Sequence, residues 1–280
     1  MKTILITGGT DGVGKGIAMH YIKKGDYVII VGSSSAKGEK FLEEAKQLGA
    51  RDRAVFIQAN LSLIKENNRI IREIKENYSS IDKLIFCAAS QKHRDSITIT
   101  EEGFEFVFAL MYLSRYILSY GLIDVLEKAE KPIIMNIAAP GMKGEVNWSD
   151  LQFRNNYDSN KVKFHSSRLN DLLGVSFAKK ESSGKIKYIL FNPWAVKTSG
   201  GLNIYQSSIK NLFIKLAYQI IGKSVDKTIV PIIKLLDNPP NTKLSAFKLD
   251  KTVSLEMETY NSNNARRLDQ QTRQLLKDLY

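Results

Sequence analysis

Short apolar runs recur along the chain at 3–7, 27–31, 54–58, 83–87, 133–137, 186–191 and 245–249. Most are continuous stretches of Ile, Val, Leu and Phe rather than alternating ones, which is the pattern of strands buried on both faces. Between them the apolar spacing changes to the helical period, over 15–24, 38–48, 63–77, 105–128 and 166–180, each stretch bounded by Gly, Ser, Asn or Asp. Strand and helix alternating through residues 1–280 predict a single α/β domain, a doubly wound sheet of seven parallel strands with helices on both faces. Two stretches depart from the alternation. Residues 203–221 set Ile204, Ile209, Leu212, Phe213, Leu216, Ile220 and Ile221 near one helical face, with Lys210 and Lys215 elsewhere. Residues 199–225 are expected to form a variable lid over a ligand cleft rather than a helix lying on a membrane. Residues 264–280 read as a polar closing helix.

Composition narrows the classes. At 43% hydrophobic residues, the chain has material for one large core. The apolar run Ile4-Leu5-Ile6 before the first glycines is too short for the apolar region of a secretory leader, and no run approaches the roughly 18 residues of a membrane span. A cytoplasmic protein with no membrane span is expected. The single cysteine, Cys87, sits in an apolar run and reads as a small core residue, so neither an intrachain disulfide nor a cysteine metal site can be built. His20, His93 and His165 fall in separate elements, and no metal is expected. The net charge of +12 is dispersed, without an aromatic-interleaved basic cluster. That argues against a nucleic-acid partner and suits a phosphate-bearing dinucleotide.

Candidate chemistry starts where the first strand ends. Thr7-Gly8-Gly9-Thr10-Asp11-Gly12-Val13-Gly14 joins a strand to a helix. Glycines there allow a tight turn and close backbone approach to a pyrophosphate, which the free N–H groups and dipole of the helix N-terminus favour. The spacing Thr7-Gly8, Gly12, Gly14 resembles the Thr-Gly-x-x-x-Gly-x-Gly loop of the short-chain dehydrogenase/reductase family, and the resemblance runs through nearly the whole chain. It implies a Rossmann-like fold, bound NAD(P)(H), and cofactor contacts from Gly8, Thr10, Asp11, Gly12, Val13 and Gly14. The second strand ends Val31-Gly32-Ser33-Ser34-Ser35, without the acidic residue that would bind a ribose hydroxyl and repel a phosphate. NADP(H) is therefore favoured over NAD(H), with Ser33, Ser34 and Lys37 receiving the extra phosphate. Asn60-Leu61 replaces the family's adenine-contacting Asp-Leu, and Cys87-Ala88-Ala89-Ser90 replaces its Asn-Asn-Ala-Gly, which carries Asn60, Leu61, Ala88 and Ala89 over as cofactor neighbours.

In the family a Tyr exchanges a proton with the substrate oxygen, a Lys four residues later lowers that Tyr's pKa and binds ribose, a Ser orients the substrate, and an Asn holds a water relay. Tyr157-Asp158-Ser159-Asn160-Lys161 is a literal Tyr-x-x-x-Lys. The stretch from Met135 through Ala138-Ala139-Pro140-Gly141 to Trp148-Ser149-Asp150-Leu151, however, resembles the retinol-dehydrogenase-like branch, whose register lands on Phe164-His165-Ser166-Ser167-Arg168-Leu169-Asn170. A helix starting near Lys161 would be about two turns longer than that register expects. Phe108-Ala109-Leu110-Met111-Tyr112-Leu113-Ser114-Arg115-Tyr116 resembles Phe-Ala-Val-Asn-His-Leu-Gly-His-Phe. The four relay positions then read Met111, Ala139, Phe164 and Arg168, and Tyr157/Lys161 is a coincidental match. Phe164 cannot donate a proton, Ala139 cannot bind a carbonyl oxygen, and Arg168 stays charged but can bind ribose. Asn192-Pro193-Trp194-Ala195-Val196-Lys197-Thr198 resembles the nicotinamide-embracing Pro-Gly-x-Val-x-Thr, adding Pro193, Val196 and Thr198 as cofactor contacts, with Trp194 at the Gly and binding weakened.

Three functions follow. The first is a repurposed or non-redox member, a pseudoenzyme that holds a dinucleotide and an unknown small-molecule substrate. The second is an active NADP(H)-dependent oxidoreductase of an alcohol or carbonyl using Tyr157/Lys161, or another acid such as Tyr112; His93 and His165 are further cleft candidates. The third is a cofactor-responsive interaction protein, a homo-oligomer whose helices 105–128 and 166–180 form a dimer face, as they commonly do in the family.

Overall fold

The computed structural model describes residues 1–90, 93–196 and 223–277. Strands β1 (Thr3–Thr7), β2 (Tyr27–Gly32), β3 (Ala54–Gln58), β4 (Lys83–Phe86), β5 (Ile133–Ile137), β6 (Lys187–Asn192), β7 (Leu244–Lys248) and β8 (Lys251–Thr252) form one sheet in the order β3-β2-β1-β4-β5-β6-β7-β8. The pairing is parallel up to β7. Among the described residues eight strands replace the expected seven: β8 turns back antiparallel on β7 through Phe247↔Thr252 and Lys248↔Lys251, and two residues are too short to leave a periodic signal.

Helices α1 (Gly12–Lys24), α2 (Ser35–Gln47) and α8 (Val225–Asp237) cover one face, closing a core of Ile4, Ile6, Val28, Ile30 and Phe41. The other face carries α3 (Ile64–Asn77), α5 (Ser114–Gly121) and α7 (Ser159–Lys180) over Leu5, Ile29, Leu84 and Leu190. The expected continuous helix over 105–128 is broken. Helix α4 (Phe106–Phe108) passes through a π-helical turn at Ala109–Leu113 into α5, and a short α6 (Ile123–Leu126) follows. Such bulges widen the backbone ladder and occur often at functional sites.

The final helix, α9 (Ser262–Lys277), buries Ala265, Leu268, Asp269 and Thr272, an i, i+3, i+4, i+7 stripe. It lies on α7 and α5: Thr272 Oγ1 is 2.6 Å from the Tyr112 hydroxyl, Tyr116 donates to Asp269 Oδ1 at 2.9 Å, and Lys180 pairs with Asp269 Oδ2 at 2.5 Å. Part of the surface expected to form a dimer face, around Tyr112, Tyr116 and Lys180, thus packs against α9. The amphipathic lid stretch 203–221 lies outside the described residues. Among the described residues no helix is long and apolar enough to cross a membrane.

Candidate functional site

The strand order reverses between β1 and β4, so the loops leaving their C-terminal ends splay apart into a crevice. After β1, Gly8 (φ 69°) donates to Val31 O at 2.8 Å, and Gly12 (φ 53°) opens α1. A Cβ on Gly8 would stand 2.6 Å from Ala88 N, and one on Gly14 would stand 2.3 Å from Gly8 O. Only glycine permits this fold of the loop. Asp11 caps the helix, its Oδ1 accepting from Gly12 N at 2.7 Å. Val13 and Gly14, the next two helical residues, keep N–H groups that no intrahelical acceptor can reach. Closely packed backbone at a helix N-terminus fits a pyrophosphate.

On the adenosine side, Ser33 is exposed at the end of β2, while Ser34 Oγ caps α2 by accepting from Lys37 N at 3.4 Å. Lys37 Nζ reaches across to Asp11 Oδ2 at 2.5 Å, and both side chains are about half exposed. An exposed pair of this kind contributes at most about 1 kcal/mol, so an incoming phosphate can compete for the lysine. Thr10 packs its methyl where a Cβ on Gly32 would stand. Asn60 Oδ1 is engaged by Ser62 N and Oγ at 3.2 and 2.8 Å. Leu61 turns its side chain into the core, and Ala89 stays at the surface. Ala88 O accepts from Arg115 at 3.1 Å.

At the other end of the crevice, Arg168 is 3% exposed. Its Nη2 donates to Ala139 O at 2.6 Å; its Nη1 donates to Met142 O and to Thr259 Oγ1 and pairs with Asp171 Oδ2, the last two at 2.7 Å. Thr259 also donates to Asp171 at 2.7 Å, and the Gly141 amide does so at 3.2 Å. Burial outweighs the arginine beside it and lifts the Asp171 carboxyl to about 6, and burial likewise depresses Arg168. Met111 sits inside the π turn with its carbonyl accepting from Asn170 Nδ2 at 2.8 Å. Asn170 Oδ1 in turn accepts from Asn136 Nδ2 at 2.8 Å. Ala139, Arg168 and Met111 are thus tied together through α7, and Phe164, one turn before Arg168, is 55% exposed. The signal for the Asp171 clasp lay in the i, i+3 spacing of Arg168 and Asp171 on a predicted helix; the contribution of Thr259 had none.

Helix α7 begins at Ser159, capped by Asp158, whose Oδ1 accepts from Asn160 N and Lys161 N at 2.9 and 2.8 Å. The two turns beyond the length that the family register expects are therefore real helix. Tyr157 nevertheless precedes the cap while Lys161 is an exposed residue of the first turn, so the two do not share a helical face as an i, i+4 pair would. Burial holds the Tyr157 hydroxyl above its ordinary pKa.

Tyr112 is not a cleft acid: it is buried beneath α9 with its pKa well above the ordinary value. His165 is buried too. Its Nε2 accepts from Asn147 N at 3.0 Å, its ring meets Phe153 edge-on at 5.0 Å, and burial lowers its pKa to about 4. His93 is exposed, 3.5 Å from Asp95.

Trp194 is 54% exposed at φ 59°, with Lys248 Nζ 3.8 Å from its ring centroid and its own amide donating to Asn192 Oδ1 at 2.8 Å. The backbone there is left-handed, a conformation that suits glycine and costs a side-chain-bearing residue roughly 1–2 kcal/mol. Trp194→Gly is therefore expected to be more stable than Trp194→Ala by about 1 kcal/mol in urea unfolding, because only glycine relieves the strain. Equal stability of the two variants would refute the strain. Pro193 is half-buried and Val196 buried beside it, whereas Thr198 lies outside the described residues.

Residues 2–151 match the short chain dehydrogenase family. An oxidoreductase of Emericella nidulans is 26% identical over 208 residues, which cover 74% of this chain and 60% of that protein. The human polyprenol dehydrogenase is 27% identical over 156 residues, 54% of this chain and 47% of its own. The chain thus spans about half the length of these curated relatives. Among solved structures, a short chain dehydrogenase of Shigella flexneri complexed with NADP superposes with a TM-score of 0.68 at 15% identity, over 89% of this chain and 97% of that one. A 3-ketoacyl-(acyl-carrier-protein) reductase of Brucella melitensis complexed with NADH gives 0.66 at 17%, over 89% and 96%. At these identities the likeness is one of fold.

Proposed function

Because this chain belongs to the short chain dehydrogenase family, we propose that it holds a nicotinamide dinucleotide in the Gly8–Gly14 cradle but lacks the family's proton relay, making it a repurposed, non-redox member. The clasp on Arg168 carries this reading. A guanidinium bound to Ala139 O, Met142 O, Thr259 and Asp171 is a structural strut. Arg168 holds its proton at neutral pH and serves poorly as a titrating partner. Beside it, Ala139 offers no hydroxyl to orient a carbonyl, and Phe164 offers no proton.

A bound dinucleotide supplies hydride chemistry at its nicotinamide ring. The chain's own part is to bind and orient: the Val13 and Gly14 amides receive the pyrophosphate, and the rim formed by Ser33, Ser34 and Lys37 lacks a carboxylate that would reject a 2′-phosphate. NADP(H) is favoured over NAD(H) on that ground. The substrate is a small molecule entering at the Ala139–Gly144 side of the crevice.

Calorimetric titration with NADPH, NADH and their oxidised forms, followed by nicotinamide absorbance with a panel of carbonyl compounds, tests this. Expected are dinucleotide binding and no turnover by the native protein. Weak carbonyl reduction is expected of the variant carrying Met111→Asn, Ala139→Ser, Phe164→Tyr and Arg168→Lys, with Asp171→Ala to avoid an unpaired buried carboxylate. Native turnover abolished by Tyr157→Phe would overturn the reading in favour of an active oxidoreductase using Tyr157 and Lys161. No gain in the restored variant, despite binding, would refute the register.

A further inference from the structure

Arg115, on α5, is 1% exposed and the largest of the fully buried side chains among the described residues. Its Nη1 donates to Asn136 Oδ1 at 2.5 Å and its Nη2 to Ala88 O at 3.1 Å, both uncharged acceptors. Its Nε finds no acceptor among the described residues. No carboxylate there pairs with it, and residues 197–222 contain no Asp or Glu. Burial lowers its pKa to about 10, which leaves it cationic at neutral pH.

A buried charge without a counter-charge among the described residues is costly. Its position indicates what offsets the cost. The carbonyl it holds belongs to Ala88, against whose backbone Gly8 packs, and Cys87, whose Cβ would meet a Cβ on Gly14 at 3.1 Å, also feels its charge. The guanidinium therefore lies one residue layer beneath the glycine cradle, on the side of the crevice formed by β4.

We propose that Arg115 is the buried counter-cation of the dinucleotide's pyrophosphate: it fixes Ala88 against the cradle and supplies, across the Ala88 backbone, the positive charge that the bound phosphates complete. This rests on the dinucleotide-binding reading above. Arg115 is a positioning residue that touches no ligand atom directly. Its effect is electrostatic, so it should discriminate charged from neutral ligands. The titratable groups facing it are Cys87 at the end of β4 and Tyr188 on β6; burial raises both, Cys87 to about 12. Neither changes charge between pH 7 and 9, and the neighbours from β5 and α7, Asn136 and Asn170, do not titrate.

The test compares NADPH, NADH and neutral adenosine as ligands of native protein, Arg115→Met and Arg115→Lys, with thermal melts as a check on folding. Arg115→Met is expected to weaken both dinucleotides about tenfold, the scale of one charge acting across a residue layer, while leaving adenosine unchanged. Arg115→Lys should bind dinucleotide nearly as native protein does at pH 7 and weaken as pH rises toward 9, because a buried lysine loses its proton well below its ordinary pKa. It also keeps the test open if the methionine variant does not fold. Equal weakening of adenosine and dinucleotide, or a lysine variant whose affinity does not move with pH, would show a merely structural role and overturn the proposal. Unchanged dinucleotide affinity in Arg115→Met would overturn it while leaving the cradle intact. Native protein that binds no dinucleotide would instead defeat the cradle reading, and this proposal with it.

Discussion

Gly14→Val is expected to abolish dinucleotide binding, weakening it at least about a hundredfold, the equivalent of roughly 3 kcal/mol. Gly14 is helical, so valine is tolerated by the local backbone; the conflict lies with the Gly8 carbonyl oxygen, 2.3 Å from the position of a new Cβ. That oxygen cannot yield, since Gly8 is pinned by its hydrogen bond to Val31 O at 2.8 Å and by its packing on Ala88. Either the loop opens or α1 shifts, and both carry the Val13 and Gly14 amides away from a common target. Gly16→Ala is the matched control. Its Cβ would meet Val225 Cγ1 at 2.6 Å, a side-chain atom that can rotate aside, so the protein should lose some stability and retain binding. Calorimetry on both variants decides, and native-like affinity in Gly14→Val would remove the cradle from the binding site.

The second large effect is on stability against pH. His165 has its folded pKa depressed to about 4 by burial, so the stability it contributes is present above its ordinary value near 6.5 and is lost as pH falls toward 4. Its accepting nitrogen is already taken by the Asn147 amide at 3.0 Å, so protonation there costs that bond. Asp171 works in the opposite sense. Raised to about 6, it contributes stability that is present below its ordinary value near 4 and is lost as pH rises through 6. The two largely cancel between pH 6 and 4.5, leaving a flat native profile in that window. His165→Gln keeps an acceptor for Asn147 but cannot be protonated, so it should gain on the native protein by about 3 kcal/mol between pH 7 and pH 4. Urea unfolding at several pH values measures this, and parallel profiles for the two proteins would mean that His165 is not held neutral.

Most of the sheet was legible because buried parallel strands announce themselves as continuous apolar runs; β1, β3 and β5 begin and end where the pattern places them. The start of α7 was not. Its first turns, Ser159-Asn160-Lys161-Val162-Lys163, carry little apolar periodicity, and their helical state comes from the Asp158 cap rather than from a buried stripe. Helix α9 read as polar because half of its buried stripe is Asp269 and Thr272, which are polar groups made tolerable inside by Tyr116, Lys180 and Tyr112. Such partners come from elements more than 80 residues away, and no local pattern encodes them. The same limit applies at the candidate site. The glycine loop is local and could be read, whereas the fate of Arg168 depended on Thr259, which only the fold brings to it.

The placement of α9 has a consequence in mass action. The apolar and tyrosine-rich side of α5 and α7 is buried by a helix on the same polypeptide, so covering it requires no encounter between molecules. Its burial cannot be diluted away, and its contribution to stability is independent of protein concentration. Because Thr259 lies three residues before α9 and grips Arg168 and Asp171, a local opening that lifts this helix would also loosen the clasp at the crevice, making the two a single cooperative unit.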